Sequence, residues 1–410
     1  MTAHETGAPR AARSRSRRLV FALLALTGTG LSCLIVAEVG LRLTQGEVHY
    51  PYHPGSVRVY YPTPERTPGV SGPSFFSVNS LGTRGPEPDD APIRLLTVGG
   101  STTACSALDD SEAWPAVLMT LLNESAPPEA RVWVTNSGVD GHNTSHHIMH
   151  ARYLLPRIPR LDYVLYYAGM NDSGRWIRND EPLDLDDPDV LAGVMGQAFG
   201  VSHFTPPDWP VYKRLRLYKL AARAKALLAS RAVERMRAAG NIVQDAHMEW
   251  LEEERQRRRL APHQFLSPEK LAQLPRGLDD YERNLRELIA LTRAAGAEPV
   301  LVSQAMLGAS GTDEERALGW MGALDRAGNA YLKAEQHREI LRAFNQRMAA
   351  VAADAGVRFF DMAAHLEDKP GIYYDAAHLN EAGCRQAAAG LAAFLRGTLR
   401  PDPLGVRRAR

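Results

Sequence analysis

Residues 93–102 read IRLLTVGGST, an apolar run that ends in two glycines, a serine and a threonine. A run of this length predicts a buried strand, and the glycines predict a tight turn into a helix. Further strands are predicted at 131–135, 163–168, 299–303 and 357–360, with helical patterns between most of them. Because strands that alternate with helices form parallel sheets covered on both faces, the sequence predicts an α/β fold.

Two insertions are predicted within this alternation of strands and helices. The regular helices are expected at 101–124, 281–295 and 338–355. A long helix-rich insertion is expected at about 175–280, and a smaller one follows the fourth strand at about 306–335. The insertions therefore fall between strands of the predicted sheet.

The composition is that of an ordinary globular protein. The chain has 410 residues, of which 45% are hydrophobic and 23% charged, and its formal net charge is +1. A nearly neutral chain gives no general indication of nucleic-acid binding. Its three cysteines are too few for a disulfide scaffold, and they lack the spacing of zinc ligands.

The N-terminal segment predicts a membrane anchor. Arginines crowd the first 18 residues, and residues 19–37 carry no charge. Those apolar residues would span roughly 28 Å as a helix, about the thickness of a hydrocarbon core. The basic cluster favours a cytoplasmic N-terminus in a single-pass protein of the inner membrane, with the remainder in the periplasm. A cleaved signal peptide is the alternative. The expected divisions are a tail at 1–18, an anchor at 19–41, an extended linker at 42–78 and a folded domain at 79–400.

Four polar segments follow predicted strands, at the edge where open parallel sheets build their sites. Ser101 begins a predicted helix, whose N-terminus favours an oxyanion beside it. A glycine-containing loop includes Gly141, and Asn171 can donate from its amide. Asp375 and His378 are three residues apart, so the carboxylate can hold one ring nitrogen while the other deprotonates a serine. Taken singly, each segment is equally consistent with a cap, a turn or a surface pair.

Together and in this order, the four segments resemble the SGNH (GDSL-like) hydrolase family, which is named after Ser, Gly, Asn and His. Ser101, Gly141, Asn171 and His378 match those positions, and the resemblance covers most of 79–397 outside the insertions. It implies a flavodoxin-like three-layer fold with a five-stranded parallel sheet. It also implies a serine esterase, a carboxylic ester hydrolase that needs no metal or organic cofactor.

The resemblance implies a role for each matching residue. Ser101 would attack an ester carbonyl, and His378 would act as base and then as acid, oriented by Asp375. The N–H groups of Ser101 and Gly141, with the amide of Asn171, would form the oxyanion hole.

One position departs from the family pattern. Gly100 occupies the place that is usually an aspartate, so a hydrogen bond that usually supports the serine loop is absent. Thr102, Thr103 and Asn136 are the candidates to replace it.

The motifs leave three functions open. The first is hydrolysis of O-acyl esters, with small acyl groups on an extracytoplasmic carbohydrate or lipid as substrates. The second is an O-acetyltransferase acting on an envelope polysaccharide, in which a sugar hydroxyl rather than water receives the acyl group. The third is a non-catalytic envelope protein that retains the fold. The spacing of Asp375 and His378 resembles the hydrolases more than the transferases.

Two further features carry alternatives of their own. Residues 211–239 hold nine basic side chains and one acidic one around an apolar stripe. This pattern fits either a helix packed on the domain or an interfacial helix on anionic lipid. Four histidines are close in sequence, namely His142, His146, His147 and His150. The i,i+4 spacing of His142 with His146, and of His146 with His150, could bind zinc on a helix, but no nearby carboxylate or cysteine completes a ligand set.

Cys105 and Cys384 are expected to lie near each other. Cys105 follows the serine, and Cys384 belongs to the predicted helix after His378. In a doubly wound sheet of the implied order, the first and last helices pack on the same face. An oxidising compartment would then permit a disulfide.

Overall fold

A central sheet of five parallel strands organises the computed structural model. The structure describes residues 10–44, 46, 48–124, 126–178, 183–202, 210–239, 246–308, 311–367 and 369–400. The strands of the sheet are β1 (Ile93–Gly99), β2 (Val132–Asn136), β3 (Tyr163–Ala168), β4 (Glu298–Ser303) and β5 (Arg358–Phe360). Their order is β2–β1–β3–β4–β5, and every neighbouring pair is parallel. This order confirms the predicted flavodoxin-like fold, and all five strands lie where the sequence predicts them.

Helices cover both faces of the sheet. The helices of the described residues are α1 (Arg10–Thr44), α2 (Ser101–Ala104), α3 (Trp114–Asn123), α4 (Thr144–Tyr153), α5 (Met170–Ile177), α6 (Pro188–Ala198), α7 (Arg216–Ala239), α8 (Ala246–Leu260), α9 (Pro268–Leu271), α10 (Leu274–Ala294), α11 (Asp313–Ala317), α12 (Ala334–Asp354), α13 (Met362–Leu366) and α14 (Glu381–Leu395). Alternate strand residues point to opposite faces. Leu95 and Leu165 pack in one buried cluster with residues of α3 and α14, whereas Leu96 and Val164 pack in another with α4, α10 and α12.

The helix predicted at 101–124 is wrong as one element, because α2 has only four residues and α3 begins at Trp114. Cys105 ends α2 in the left-handed conformation, with φ of 52°. The buried Arg84 guanidinium then donates to the carbonyls of Ala104, Cys105 and Leu108. These bonds stabilise a loop in place of helical hydrogen bonds.

The linker predicted at 42–78 is folded over much of its length. Strands Val57–Tyr60 and Ser74–Ser77 pair antiparallel, and His49–Tyr50 pairs with Val201–Ser202. The side chain of Phe76 is buried. Burial of apolar side chains such as this one favours folding over an extended chain.

Among the described residues, one helix is long and apolar enough to cross a membrane, and it spans Arg17–Thr44 within α1. The end of this helix contacts α7 through the carboxylate of Glu38. That carboxylate accepts hydrogen bonds from the N–H groups of Arg216 (2.9 Å) and Leu217 (3.0 Å) at the start of α7. The anchor candidate and the basic helix are therefore joined at one capping residue.

The basic helix α7 both packs on the domain and exposes apolar side chains. It packs on strand Val57–Tyr60, where the hydroxyl of Ser230 accepts from the N–H of Val57 at 2.8 Å. Leu220 and Leu228 are 48% and 60% exposed. The packed-helix interpretation thus describes one side of α7, and the apolar stripe on another side remains open to a partner.

The two buried cysteines lie side by side, which confirms their predicted proximity. The Sγ atoms of Cys105 and Cys384 are 4.0 Å apart, and both residues are free thiols. Helices α3 and α14 pack against each other on this face of the sheet, as expected.

Candidate active site

Ser101 stands at the turn between β1 and α2. Its Oγ lies 2.7 Å from Nε2 of His378. The turn requires the preceding glycines, because a Cβ on Gly99 would lie 2.0 Å from Oγ1 of Thr103. A Cβ on Gly100 would lie 2.4 Å from Nδ2 of Asn171. Gly100 therefore lets Asn171 approach the serine turn closely, and Gly99 leaves room for the side chain of Thr103.

Asp375 holds the other side of the imidazole ring. Its Oδ2 lies 2.7 Å from Nδ1 of His378, and Oδ1 accepts from the N–H groups of Ala377 (2.9 Å) and His378 (2.8 Å). These backbone donors are close because the loop turns tightly between the two residues. The structure thus brings Asp375, His378 and Ser101 into one hydrogen-bonded row.

The electrostatic interactions within this row favour an ionised Asp375 carboxylate next to the imidazole of His378. Burial alone would raise the pKa of Asp375, but His378 and the backbone donors hold that pKa at about 2. Burial acts to lower the pKa of His378, and the Asp375 carboxylate overcomes this effect, so that the pKa of His378 is raised. Above that pKa the imidazole is neutral and Nε2 can accept the proton of Ser101.

Gly141 and Asn171 face the same cavity as Ser101. Gly141 has φ of +77°, a conformation that favours glycine. Nδ2 of Asn171 donates to the carbonyl of His142 at 2.7 Å, which fixes the amide and leaves its second N–H for another acceptor. In the described part of the chain, the N–H groups of Ser101 and Gly141 have no protein acceptor. All three donors thus belong to residues that line the cavity of Ser101.

Two of the three candidates, Asn136 and Thr102, make side-chain hydrogen bonds at the serine loop. Nδ2 of Asn136 donates to the carbonyl of Thr103 at 2.7 Å, and Oγ1 of Thr102 lies 3.3 Å from Oε1 of Gln304. The hydroxyl of Thr103 is buried and has no protein partner in the described structure. Asn136 therefore anchors the serine helix most directly.

A cavity of about 700 Å³ opens over Ser101 and His378. Much of its wall comes from the two insertions, which contribute Trp250, Leu251, Trp320, Met321, Ala323, Asp325 and Arg326. Sequence patterns missed these residues because they lie far along the chain from all four motifs. Gly141 belongs to one of the motifs and lines the cavity, and so does His146, which follows it closely in the sequence.

The histidine cluster is buried and makes protein contacts. The ring of His146 bonds Oδ1 of Asn143 (2.8 Å) and Oε1 of Gln197 (3.1 Å). His150 Nε2 lies 3.0 Å from the carbonyl of Ala198. Burial lowers the pKa of His146 to about 4, so its ring is neutral at physiological pH. These contacts join α4 to the end of α6, and among the described residues no three potential ligands form a metal-holding group.

The fold and this site define an SGNH-type esterase. Residues 97–386 match the model of the GDSL-like Lipase/Acylhydrolase family, and the chain belongs to that family. None of the curated proteins matches the chain in sequence.

Several solved structures are similar to this chain. LAE5, an alpha/beta hydrolase enzyme from the metagenome of Lake Arreo, Spain, is 16% identical, with 74% of this chain and 94% of that chain covered at a TM-score of 0.38. Axe2, an acetylxylan esterase from Geobacillus stearothermophilus, is 15% identical, with 74% and 93% covered at 0.38. The native M. smegmatis aryl esterase is 14% identical, with 75% and 100% covered at 0.39.

Proposed function

We propose that this esterase hydrolyses O-acyl esters through an acyl-enzyme on Ser101. The observation that supports it is the row from Asp375 through His378 to Oγ of Ser101, with both hydrogen bonds at 2.7 Å. The row ends at the cavity, where an ester can reach the hydroxyl. A surface pair of Asp and His would have no such neighbour.

The proposed reaction has two halves. In the first, Nε2 of His378 takes the proton of Ser101 as Oγ attacks the ester carbonyl carbon. The oxyanion accepts from the N–H groups of Ser101 and Gly141 and from Nδ2 of Asn171. The C–O bond then breaks, and His378 returns the proton to the leaving alcohol. In the second half, water attacks the acyl carbon with the same base, and Ser101 leaves as a hydroxyl.

The proposed substrates carry small acyl groups on an extracytoplasmic carbohydrate or lipid. Trp250 lines the cavity and is 41% exposed, and an aromatic ring at such a position can pack against a sugar. Asp325 and Arg326 line the same cavity and offer polar contacts to hydroxyl groups. An apolar wall with a few polar groups is typical of sites that orient a small ligand.

A fluorophosphonate probe tests the nucleophile. We expect the probe to modify the purified chain at Ser101, because phosphonylation requires a serine activated by a neighbouring base. Peptide mass mapping locates the modified residue. Ser106 is the matched control, since it also lines the cavity but lies 3.3 Å from Oδ1 of Asp140 rather than beside a histidine. Labelling should persist in Ser106→Ala and vanish in Ser101→Ala; equal labelling of both variants would contradict the proposal.

The proposed location is the inner membrane, with a cytoplasmic tail at 1–18, an anchor at 19–41 and the hydrolase domain, ending near residue 400, in the periplasm. The arginines before Leu19 support this orientation. Helix α7 is proposed to lie on the lipid surface. Its N-terminus is capped by Glu38 of the anchor helix, and Leu220 and Leu228 are exposed among basic side chains.

Trypsin added to intact spheroplasts should digest the hydrolase domain and spare an epitope placed at the N-terminus. A cytoplasmic marker protein serves as the control for intact cells. Survival of the domain alongside that marker would contradict the orientation.

The same digestion, repeated on full-length protein in vesicles, reports on α7. Cleavage within 216–239 should be slower in anionic than in neutral vesicles, because each basic residue near an anionic surface gains about 1 kcal/mol. Cleavage in α8, which has its own arginines, is the internal control. Equal cleavage of α7 in both vesicles would refute lipid contact.

A further inference from the structure

Trp320 contacts both partners of the Asp375–His378 pair. Its indole Nε1–H donates to Oδ2 of Asp375 at 2.8 Å. Its ring lies nearly parallel to the imidazole of His378, at an interplanar angle of 9° and a centroid distance of 6.2 Å. Trp320 comes from the smaller insertion, outside all four family motifs. An insertion thus reaches the centre of the site.

The longer insertion fixes the segment that carries Trp320. Arg255 of α8 is buried and donates to the carbonyl of Leu318 at 2.9 Å and to that of Tyr374 at 3.0 Å. Arg258 donates from Nε to the carbonyl of Met321 at 3.2 Å. Leu318 and Met321 bracket Trp320, and Tyr374 directly precedes Asp375. Helix α8 therefore holds the tryptophan and the carboxylate relative to each other.

Other contacts leave this segment little freedom. The third donor group of Arg255 reaches the carbonyl of Arg66 at 2.6 Å, so its guanidinium contacts three separate loops. A buried guanidinium is tolerated only when its donors are satisfied, so shifting any one loop would leave a costly unpaired group. Trp250 of α8 packs edge-on against Trp320 at a centroid distance of 5.2 Å. The indole is held from two sides.

We propose that Trp320 is a positioning residue that sets the orientation and basicity of Asp375 toward His378. The inference rests on the proposed function. Oδ2 accepts both the Nδ1–H of His378 and the Nε1–H of Trp320. The second donor draws charge from Oδ2 and fixes the plane of the carboxylate. The proton therefore stays on Nδ1, and Nε2 remains free to accept the proton of Ser101.

Replacing the indole by a ring without a donor separates this role from packing. In Trp320→Phe, Oδ2 keeps only the His378 bond, so the carboxylate is more basic and attracts the imidazolium more strongly. The pKa of His378 should rise, and the acidic limb of the kcat/KM profile should move to higher pH by roughly 0.5. We expect kcat to fall about tenfold, the equivalent of one hydrogen bond, with KM for a short acyl ester nearly unchanged.

Trp133→Phe is the matched control, because it also removes a buried indole donor, the bond from Nε1 to the carbonyl of Glu87 at 3.1 Å. That variant should lose thermal stability and keep the wild-type pH profile. Trp320→Gln restores a donor without a ring and keeps the test decisive if Trp320→Phe does not fold; its acidic limb should lie near that of the wild type.

The positioning role would be overturned if the acidic limb of the kcat/KM profile did not move in a folded Trp320→Phe variant. It would also be overturned if that limb moved as far in Trp320→Gln as in Trp320→Phe. Failure of the proposed function would give a different result. The Ser101→Ala variant would then retain turnover, wherever the acidic limb of the kcat/KM profile lies in the Trp320 variants.

Discussion

Ser101→Ala should lower kcat/KM for short-chain acyl esters by about 10⁴-fold or more. The substitution removes Oγ, which lies 2.7 Å from Nε2 of His378 and is the atom proposed to form the covalent acyl intermediate. The remaining donors can still polarise a bound ester, so a small residual rate is expected from the oxyanion hole and binding alone. Steady-state hydrolysis of a chromogenic acetyl ester measures the loss.

The same substitution should leave the fold nearly unchanged. The Ser101 side chain makes one hydrogen bond and is partly exposed, so its removal should change the free energy of unfolding by no more than about 1 kcal/mol. Thermal unfolding checks that the variant is folded. Ser106→Ala, which removes a hydroxyl from the same cavity, should keep nearly full activity. Turnover in Ser101→Ala at the wild-type rate would rule out the nucleophile.

The sheet could be predicted because its strands carry a simple signal. All seven residues of β1 and all six of β3 are buried, and both strands appear in the sequence as mostly apolar runs. The polar residues that follow the strands meet at one edge because parallel strands end on the same side. The structure accordingly brings Ser101, Asn171 and His378 together from distant parts of the chain.

Long-range contacts set the features that the sequence did not indicate. The end of α2 depends on the guanidinium of Arg84, which lies across the loop and whose side chain is almost fully buried. The position of Trp320 depends on Arg255 and Arg258 in a separate insertion. Neither contact has a period or a spacing that a local pattern could reveal. The same holds for residues 48–78, whose strands find partners only in the folded chain.

The structure gives a physical reason for glycine at position 100, where the chain departs from the family pattern. A side chain there would press on the amide of Asn171 at 2.4 Å and approach the carbonyl of His142 at 3.2 Å. These two groups form the hydrogen bond that fixes Asn171. The glycine therefore permits a closer approach of the Asn171 amide to the serine turn, and Asn136 hydrogen-bonds to the carbonyl of Thr103 in that turn.

Asn171→Ala should lower kcat by about 10²–10³-fold and change KM much less. The amide is held by its bond to the carbonyl of His142, so its second N–H needs no reorganisation when an oxyanion forms. A donor that is fixed in advance stabilises the charge of the transition state more than the neutral ester, which places the loss in kcat. Saturation kinetics on one acetyl ester separate the two constants.

Asn123→Ala is the matched control, because it also removes an asparagine side chain that hydrogen-bonds to the backbone. Its amide bonds both the N–H and the carbonyl of Val132 at 2.8 Å, at the far end of β2 from the site. That variant should lose stability, by about 1–3 kcal/mol, and keep its kcat when assayed well below its Tm. Asn171→Ala should instead lose kcat and keep most of its stability, because only the carbonyl of His142 loses a partner. A rise in KM with unchanged kcat would instead mean that Asn171 binds the ground-state ester and the transition state equally, which would exclude it from the oxyanion hole.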